Sequence, residues 1–263
     1  MNQPELTLQQ VADLLWQAAS QCEPIAPVRT GVLSGSIDLA YRVQDLNTER
    51  SLREGHRLVG RKIGLTAKSV QQQLGVSQPD YGMLFADMAL VDSEEIHSGR
   101  LIQPKVEGEI AFVLGRDLDG DPLMITDVMA AIDYALPAIE IVDSRIQNWD
   151  IGIEDTVADN ASSGLFMLGT DPHRLAGLDL RLAGMVMNRR GEPVATGAGV
   201  ACLGHPLIAA LWLARKMVEV GRPLQTGDII LSGALGPMVS VMAGDDIELN
   251  VSGLGSVRCY FAE

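Results

Sequence analysis

Hydrophobic positions near the start of the chain recur at three- and four-residue intervals: Val11, Leu14, Leu15 and Ala18. That spacing lines one face of a helix. Thr7 and Gln10 have capping-box spacing, Leu6 and Val11 are placed as a hydrophobic staple, and Pro24 and Pro27 end the segment. A second stripe, Leu39, Val43 and Leu46, predicts a helix from about Ser36, with Gly55 as its C-terminal cap. After about residue 57 the texture changes. LVGRKIGLT reads as a short strand, AKSVQQQLG as a short helix and YGMLFADMAL as another extended stretch. PKVEGEIAFVLGRDL reads as a long strand, Asp127–Tyr134 as a helix, ALPAIEIVD as a buried strand and LFMLG as one more. MVMNRRGEPVAT predicts a hairpin turning at Arg189–Glu192. His205 and Pro206 open a helix whose apolar face holds Leu207, Ala210, Leu211, Ala214 and Met217, and Gly221 closes it. The tail alternates strands with glycine-rich turns. The pattern is that of an α+β protein, with a largely helical N-terminal lobe over residues 1–60 and a β-rich core over 61–263, packed as one unit.

A chain of 263 residues can bury a sizeable core. It carries 34 acidic against 20 basic residues, a net charge of −14. Such a chain repels phosphate backbones and anionic lipid, so neither a nucleic-acid nor a membrane role is expected. Cys22, Cys202 and Cys259 are widely spaced and odd in number, which argues against a disulfide scaffold and a thiolate metal site. A reducing cytoplasm is the expected location, and MNQPELTLQQ lacks the basic start and apolar stretch of a signal peptide. The uncharged run 229–244 is too short for a membrane span and is broken by Gly233, Gly236 and Pro237.

Three carboxylates stand where carboxylates are costly. Glu107 and Glu109, two apart in a predicted strand, share one face; Val106, Gly108, Ile110 and Phe112 take the other. Glu140 lies inside the apolar run LPAIEIV. A shared divalent cation resolves both the repulsion and the burial, and an all-oxygen site favours Mg²⁺ or Mn²⁺. Two plainer alternatives remain: a solvated edge strand for the pair, and an arginine partner for Glu140. Lys62, between Gly60 and Gly64, is either a surface lysine or a group that holds a carboxylate or moves a proton. Asp80 is either a turn residue or part of the same chemistry. The polar loop 159–164 and the run 232–237 are candidates to present hydroxyls, amides or backbone N–H groups to a ligand. None of the four histidines pairs with another at ligand spacing, and His205 before Pro206 reads as a helix cap.

Taken together, GRKIGLTAKSVQQQLGVSQPDYGMLFADM, PKVEGEIAFVLGRDL, ALPAIEIVDSRI, DTVADNASSG, CLGHPLIAALWLARKM and TGDIILSGALGPM resemble the 2-hydroxypenta-2,4-dienoate (2-keto-4-pentenoate) hydratases of the fumarylacetoacetate hydrolase superfamily. The resemblance runs from about Leu8 to Phe261. It implies a mixed β-roll core with a smaller N-terminal α/β lobe, and Mg²⁺ or Mn²⁺ on Glu107, Glu109 and Glu140. It implies acid–base or orienting roles for Lys62 and Asp80, and a substrate near Asn160, Ser162, Ala234 and Leu235. The implied reaction is hydration of a 2-hydroxydienoate in meta-cleavage degradation of aromatic compounds. Homo-oligomers, and association with a downstream aldolase, are further implications.

Rivals remain. Decarboxylation of 4-oxalocrotonate uses the same chelate, but its second carboxylate needs a cationic or amide pocket that the sequence does not reveal. A carbon–carbon hydrolase of the fumarylacetoacetate type wants a histidine near the metal, and none of the four histidines lies in the segments that carry Lys62, Asp80 or the three glutamates. A non-catalytic scaffold is the reading from another class; its mark would be a lost ligand carboxylate or a lost Lys62, and all are present.

Overall fold

The computed structural model describes residues 6–73, 76–97 and 99–262. Six helices occur among them: α1 (Leu8–Gln21), α2 (Ile37–Arg53), α3 (Lys68–Gln73), α4 (Ile125–Ala131), α5 (Ile153–Ala158) and α6 (Pro206–Glu219). Thirteen strands accompany them: β1 (Leu58–Gly64), β2 (Asp80–Phe85), β3 (Ala89–Leu90), β4 (Glu95–Ile96), β5 (Lys105–Leu114), β6 (Ile132–Val142) and β7 (Ser163–Leu168). The rest are β8 (Gly184–Arg189), β9 (Glu192–Ala198), β10 (Ile229–Leu231), β11 (Val239–Ser240), β12 (Asp246–Val251) and β13 (Gly255–Phe261). The class is α+β, as expected.

Local chemistry sets several boundaries where the pattern put them. Thr7 caps α1 by accepting from the Gln10 N–H, and Gln10 accepts from the Thr7 N–H in return. Ser36 caps α2, and the His205 ring nitrogen Nδ1 caps α6 through the Leu207 N–H. The β8–β9 hairpin turns at Arg190 and Gly191, both with positive φ.

Two mixed sheets form the core. The larger runs β2-β1-β10-β5-β6-β7-β3, with β11 pairing on β5; the smaller runs β4-β13-β12-β8-β9. The smaller sheet covers one face of the larger, where Val106, Ile110, Phe112, Ile139 and Ile141 meet Met185, Leu249 and Val257 in the main apolar cluster. Gly108 permits this approach, since a Cβ there would lie 2.5 Å from Leu249 Cδ1. A separate apolar cluster, with Leu84, Ala111, Ala138, Phe166 and Leu231, lies on the opposite face of the large sheet. Helices α1, α2 and α5 pack around a third, shared with Ile146. The Gln44 amide of α2 ties them to the sheet by donating to the carbonyls of Tyr81 and Val157, 3.0 Å each.

Two expectations need correction, and two elements have no counterpart among them. Asp133 and Tyr134, read as helical, belong to β6, because pairing of Ile132 and Tyr134 with β5 overrides a local pattern that has no breaker. YGMLFADMAL is two strands, not one: a 3₁₀ turn at Ala86–Met88 carries the chain from β2 across to β7. In DTVADNASSG, Asp155–Ala158 are the last residues of α5, an unread helix. Its anchor is the buried Asp155 carboxylate, which accepts from the N–H groups of Val28, Arg29 and Gly152. The short strand β4 was also unread.

Candidate active site

β5 lies inside the large sheet, between β10 and β6, so Glu107 and Glu109 are not on a solvated edge. The β5–β6 register sets Glu107 directly opposite Glu140, and Glu109 opposite Ala138. Cross-strand partners point to the same face, so all three carboxylates converge on the side away from the small sheet. One oxygen from each lies within 4.8 Å of the others. Glu109 and Glu140 are fully buried, and Glu107 is half-buried. Like charges directly opposite in a ladder are destabilising, and burial compounds the cost. Burial first, then the nearby Glu140, pushes the Glu107 and Glu109 carboxyls above the usual range.

These oxygens fit a hard cation. Glu109 Oε2 accepts from the Gly233 N–H at 2.8 Å, while its Oε1 and both Glu140 oxygens have no hydrogen-bond partner. Buried acceptors rarely go unsatisfied, and a divalent cation of oxygen preference satisfies them together.

Lys62 brings its ammonium to the same face. Its Nζ lies 3.0 Å from Glu140 Oε1, an ion pair without hydrogen-bond alignment, so both Glu140 oxygens remain open. Only 3% exposed, it is no surface lysine. Burial works against its charge, but Glu140, Asp80, Glu107 and Glu109 together hold it protonated, above the ordinary lysine range. The arginine partner considered for Glu140 is therefore a lysine. Asp80 opens β2 opposite Gly64 and is 1% exposed, with neither oxygen hydrogen-bonded, so it is not a turn residue. Burial raises its carboxyl to about 6, with Lys62 opposing and Glu140 adding.

The glycines beside Lys62 matter for space. A Cβ on Gly64 would lie 2.1 Å from Asp80 Oδ1. Gly64→Ala is expected to displace that carboxylate and destabilise the protein by about 1–3 kcal/mol, the usual cost of overpacking. Turnover should fall more than melting temperature suggests, and a variant with normal rates would show that Asp80's position is immaterial. Gly82, opposite Lys62 in register, gives room to the Asn160 carbonyl, 2.4 Å from where a Cβ would stand.

The loop residues arrive differently from one another. Asn160, Ala161 and Ser162 all have positive φ, 54°, 52° and 53°, a strained run of the kind that gathers at functional sites. The Asn160 amide is committed to β2, accepting from the Met83 N–H at 2.7 Å and donating to its carbonyl at 3.0 Å. The Ser162 Oγ is buried without a partner. Ala234 is half-buried. The Leu235 side chain points into the main apolar cluster, and its backbone bonds to Gly108 and Ala198. A cavity of about 370 Å³ opens behind Asn160 against α1 and α2, but none of Lys62, Asp80 and the three glutamates lines it. Its buried charges are already engaged, Arg145 with Asp159 and Asp143 with the Ile102 and Gln103 N–H groups.

Two further groups lie beside the carboxylates, one in the run 232–237 that the sequence offers for its backbone N–H groups and one outside every sequence candidate. Gly233, at φ 103°, aims its N–H at Glu109, and a Cβ there would meet Thr66 at 2.4 Å. Lys105 stands on the same strand face as Glu107 and lies over the Trp149 ring. Strand alternation alone would have flagged it.

Residues 44–262 match the family described as fumarylacetoacetate (FAA) hydrolase C-terminal. The chain is 59% identical over 256 residues to a TodF product hydratase of Pseudomonas putida, covering 97% of this chain and 96% of the relative. It is 56% identical over 261 residues to 2-keto-4-pentenoate hydratase 1 of Dechloromonas aromatica, covering 99% of each. A solved structure of 4-oxalocrotonate decarboxylase from Pseudomonas putida G7, complexed with magnesium and adipate, superposes with TM-score 0.92 at 37% identity, covering 97% of this chain and 98% of that one.

Proposed function

The chain belongs to the fumarylacetoacetate hydrolase family, and from that premise we propose that it hydrates 2-hydroxypenta-2,4-dienoate to 4-hydroxy-2-oxopentanoate. It is a hydro-lyase of aromatic-compound degradation that uses a divalent cation. The observation that carries the reading is the full-length match to hydratases at 56–59% identity. In our reading Glu107, Glu109 and Glu140 hold the cation, Mg²⁺ first and Mn²⁺ as its substitute. When bound, it supplies positive charge that offsets the negative charge building on the 2-oxo acid oxygens.

The chain's own groups divide the remaining work. Conversion of the dienol to an unsaturated 2-oxo acid moves a proton from the C2 hydroxyl to C5. Water then adds at C4, and C3 gains a proton. A group at the diene end must accept and return protons near neutral pH, and Asp80, with its carboxyl raised to about 6, has the matching affinity. Lys62, held protonated, donates hydrogen bonds to substrate oxygen and orients it. Burial of both excludes bulk water, so the added water is a directed one. Asn160, Ser162, Ala234 and Leu235 shape the substrate's surroundings. The unpartnered Ser162 hydroxyl is free to bond, whereas Asn160 acts through its position on β2.

The decarboxylase reading has a specific observation in its favour, the 0.92 superposition on 4-oxalocrotonate decarboxylase, at lower identity. Assaying both substrates with Mg²⁺ separates them. Dienoate hydration is expected to exceed release of CO₂ from 4-oxalocrotonate by about a hundredfold, a difference of the size that one unmet substrate charge produces. The opposite ratio would make the protein a decarboxylase. Oxalate presents the same two-oxygen bite without the diene and is expected to inhibit competitively. An Asp80 variant is expected to retain some solvent deuterium exchange into the substrate chain while forming little hydrated product. Equal loss of both would place Asp80 ahead of the point where the two halves diverge.

We further propose a cytoplasmic homo-oligomer able to associate with a downstream aldolase. All three cysteines are free, and no helix among the described residues is long and apolar enough to cross a membrane. Exposed Val91, Leu182 and Met242 provide apolar surface for contacts between chains, which light scattering tests.

A further inference from the structure

The catalytic cluster is short of positive charge. Glu107, Glu109, Glu140 and Asp80 face the single ammonium of Lys62, so a divalent cation still leaves one negative charge in excess. The substrate is itself an anion, and the chain carries −14 overall. An approaching carboxylate meets a repelling field unless a cation stands at the entrance.

Lys105 stands there. Two residues before Glu107 in β5, it leaves the sheet on the same face as Glu107 and Glu109. Lys105 and Glu107 are half-exposed, whereas Glu109, Glu140, Lys62 and Asp80 are buried, so the cluster opens at the Lys105–Glu107 end. Among the described residues Lys105 makes no ion pair; its Nζ sits 4.2 Å from the centroid of the Trp149 ring. The indole is fixed in turn. Its Nε1–H donates to the Gln103 carbonyl at 2.9 Å, and Asn148 and Trp149 both hold positive φ, 59° and 54°. Two successive non-glycine residues in that region are strained, and such strain gathers at ligand clamps. A carboxylate partner would have cancelled the lysine's charge. An aromatic face holds an ammonium weakly and leaves its charge intact, ready to be given to an incoming anion.

We propose that Lys105, held on the face of Trp149, is the receiving cation for the substrate carboxylate at the mouth of the site, with Trp149 as its positioning residue. The identity of that anion rests on the hydratase reading; the anion site itself does not.

The test uses the full chain loaded with Mn²⁺ and the variants Lys105→Met, Lys105→Arg and Trp149→Leu. Lys105→Met is expected to raise KM for the dienoate about tenfold or more and to flatten the decline of kcat/KM with added salt. Its kcat should change by no more than about threefold, as for a lost interaction that binds substrate and transition state alike. Lys105→Arg restores most of the loss, and Trp149→Leu gives a smaller rise in KM. Calorimetric titration of oxalate should weaken in parallel, with Mn²⁺ affinity in the absence of oxalate unchanged. Wild-type KM, salt dependence and oxalate affinity in Lys105→Met would overturn the proposal. So would a loss of Mn²⁺ affinity that accounts for the weaker oxalate binding, since the lysine would then only support Glu107. If the unaltered protein fails to hydrate the dienoate, the hydratase reading falls, and the oxalate titrations still decide the role of Lys105.

Discussion

Glu109→Gln is expected to abolish tight Mg²⁺ or Mn²⁺ binding and nearly all turnover, while the metal-free variant melts at a higher temperature than the unaltered protein. Both expectations come from one feature: Glu109 is a fully buried carboxylate, with Glu107 and Glu140 as neighbours and one free oxygen. An amide gives up the ionic attraction to a hard dication, so affinity should fall by at least about a hundredfold. Several kcal/mol of charge stabilisation go with it, about a thousandfold in rate. Without metal the same change removes a buried carboxyl crowded by two others that outnumber the one nearby ammonium, which stabilises the protein by about 1–2 kcal/mol. Metal titration and calorimetry in the presence of a chelator read the two effects separately. Unchanged affinity in the Gln variants of Glu107, Glu109 and Glu140 alike would place the cation elsewhere.

The pH dependence follows the same logic. The Glu107 and Glu109 carboxyls lie above the usual range because of burial and then Glu140. As pH rises past the ordinary carboxylate range, the unfolded chain gives up these protons before the folded one does. The folded state then binds more protons, so the metal-free protein loses stability as pH rises toward neutrality. Saturating metal, which binds the ionised form, should remove or invert that trend.

Lys62→Met should lower turnover by about a thousandfold, within the usual worth of a positioned proton donor, while metal affinity stays equal or improves. The ammonium lies 3.0 Å from Glu140 Oε1 and competes with a cation for that carboxylate. Its removal therefore separates catalysis from metal binding, which no ligand variant can do. Lys62→Arg should not restore the rate. The side chain is 3% exposed beneath Gly82 and the Asn160 carbonyl, and a planar guanidinium is too large for that space. Near-normal kcat in Lys62→Met would show that the substrate needs no hydrogen bond from the lysine and would leave the chemistry to Asp80. A parallel loss of metal affinity would make the lysine part of the metal's surroundings rather than of the chemistry.

The amino-acid sequence by itself determined the elements whose signals are local. Thr7 and Gln10, Ser36, His205 and the Arg190–Gly191 turn each act within a few residues, so caps and hairpin fell where the pattern placed them. Strand alternation also determined that Glu107 and Glu109 share a face, because the side-chain period of a strand is two. The tertiary structure alone decided what depends on register. Glu140 meets Glu107 because β6 pairs with β5 in one frame, and a slip of one residue would turn it to the other face. Lys62, distant in sequence, reaches them because β10 joins β1 to β5. The same holds for Gly233, whose N–H reaches Glu109 only by way of the loop after β10, and for Trp149, which finds Lys105 across a strained turn. Helix α5 was hidden for a related reason. Its anchor, Asp155, draws on N–H groups of Val28 and Arg29, more than a hundred residues earlier, and contacts that far apart leave no periodic trace in the chain.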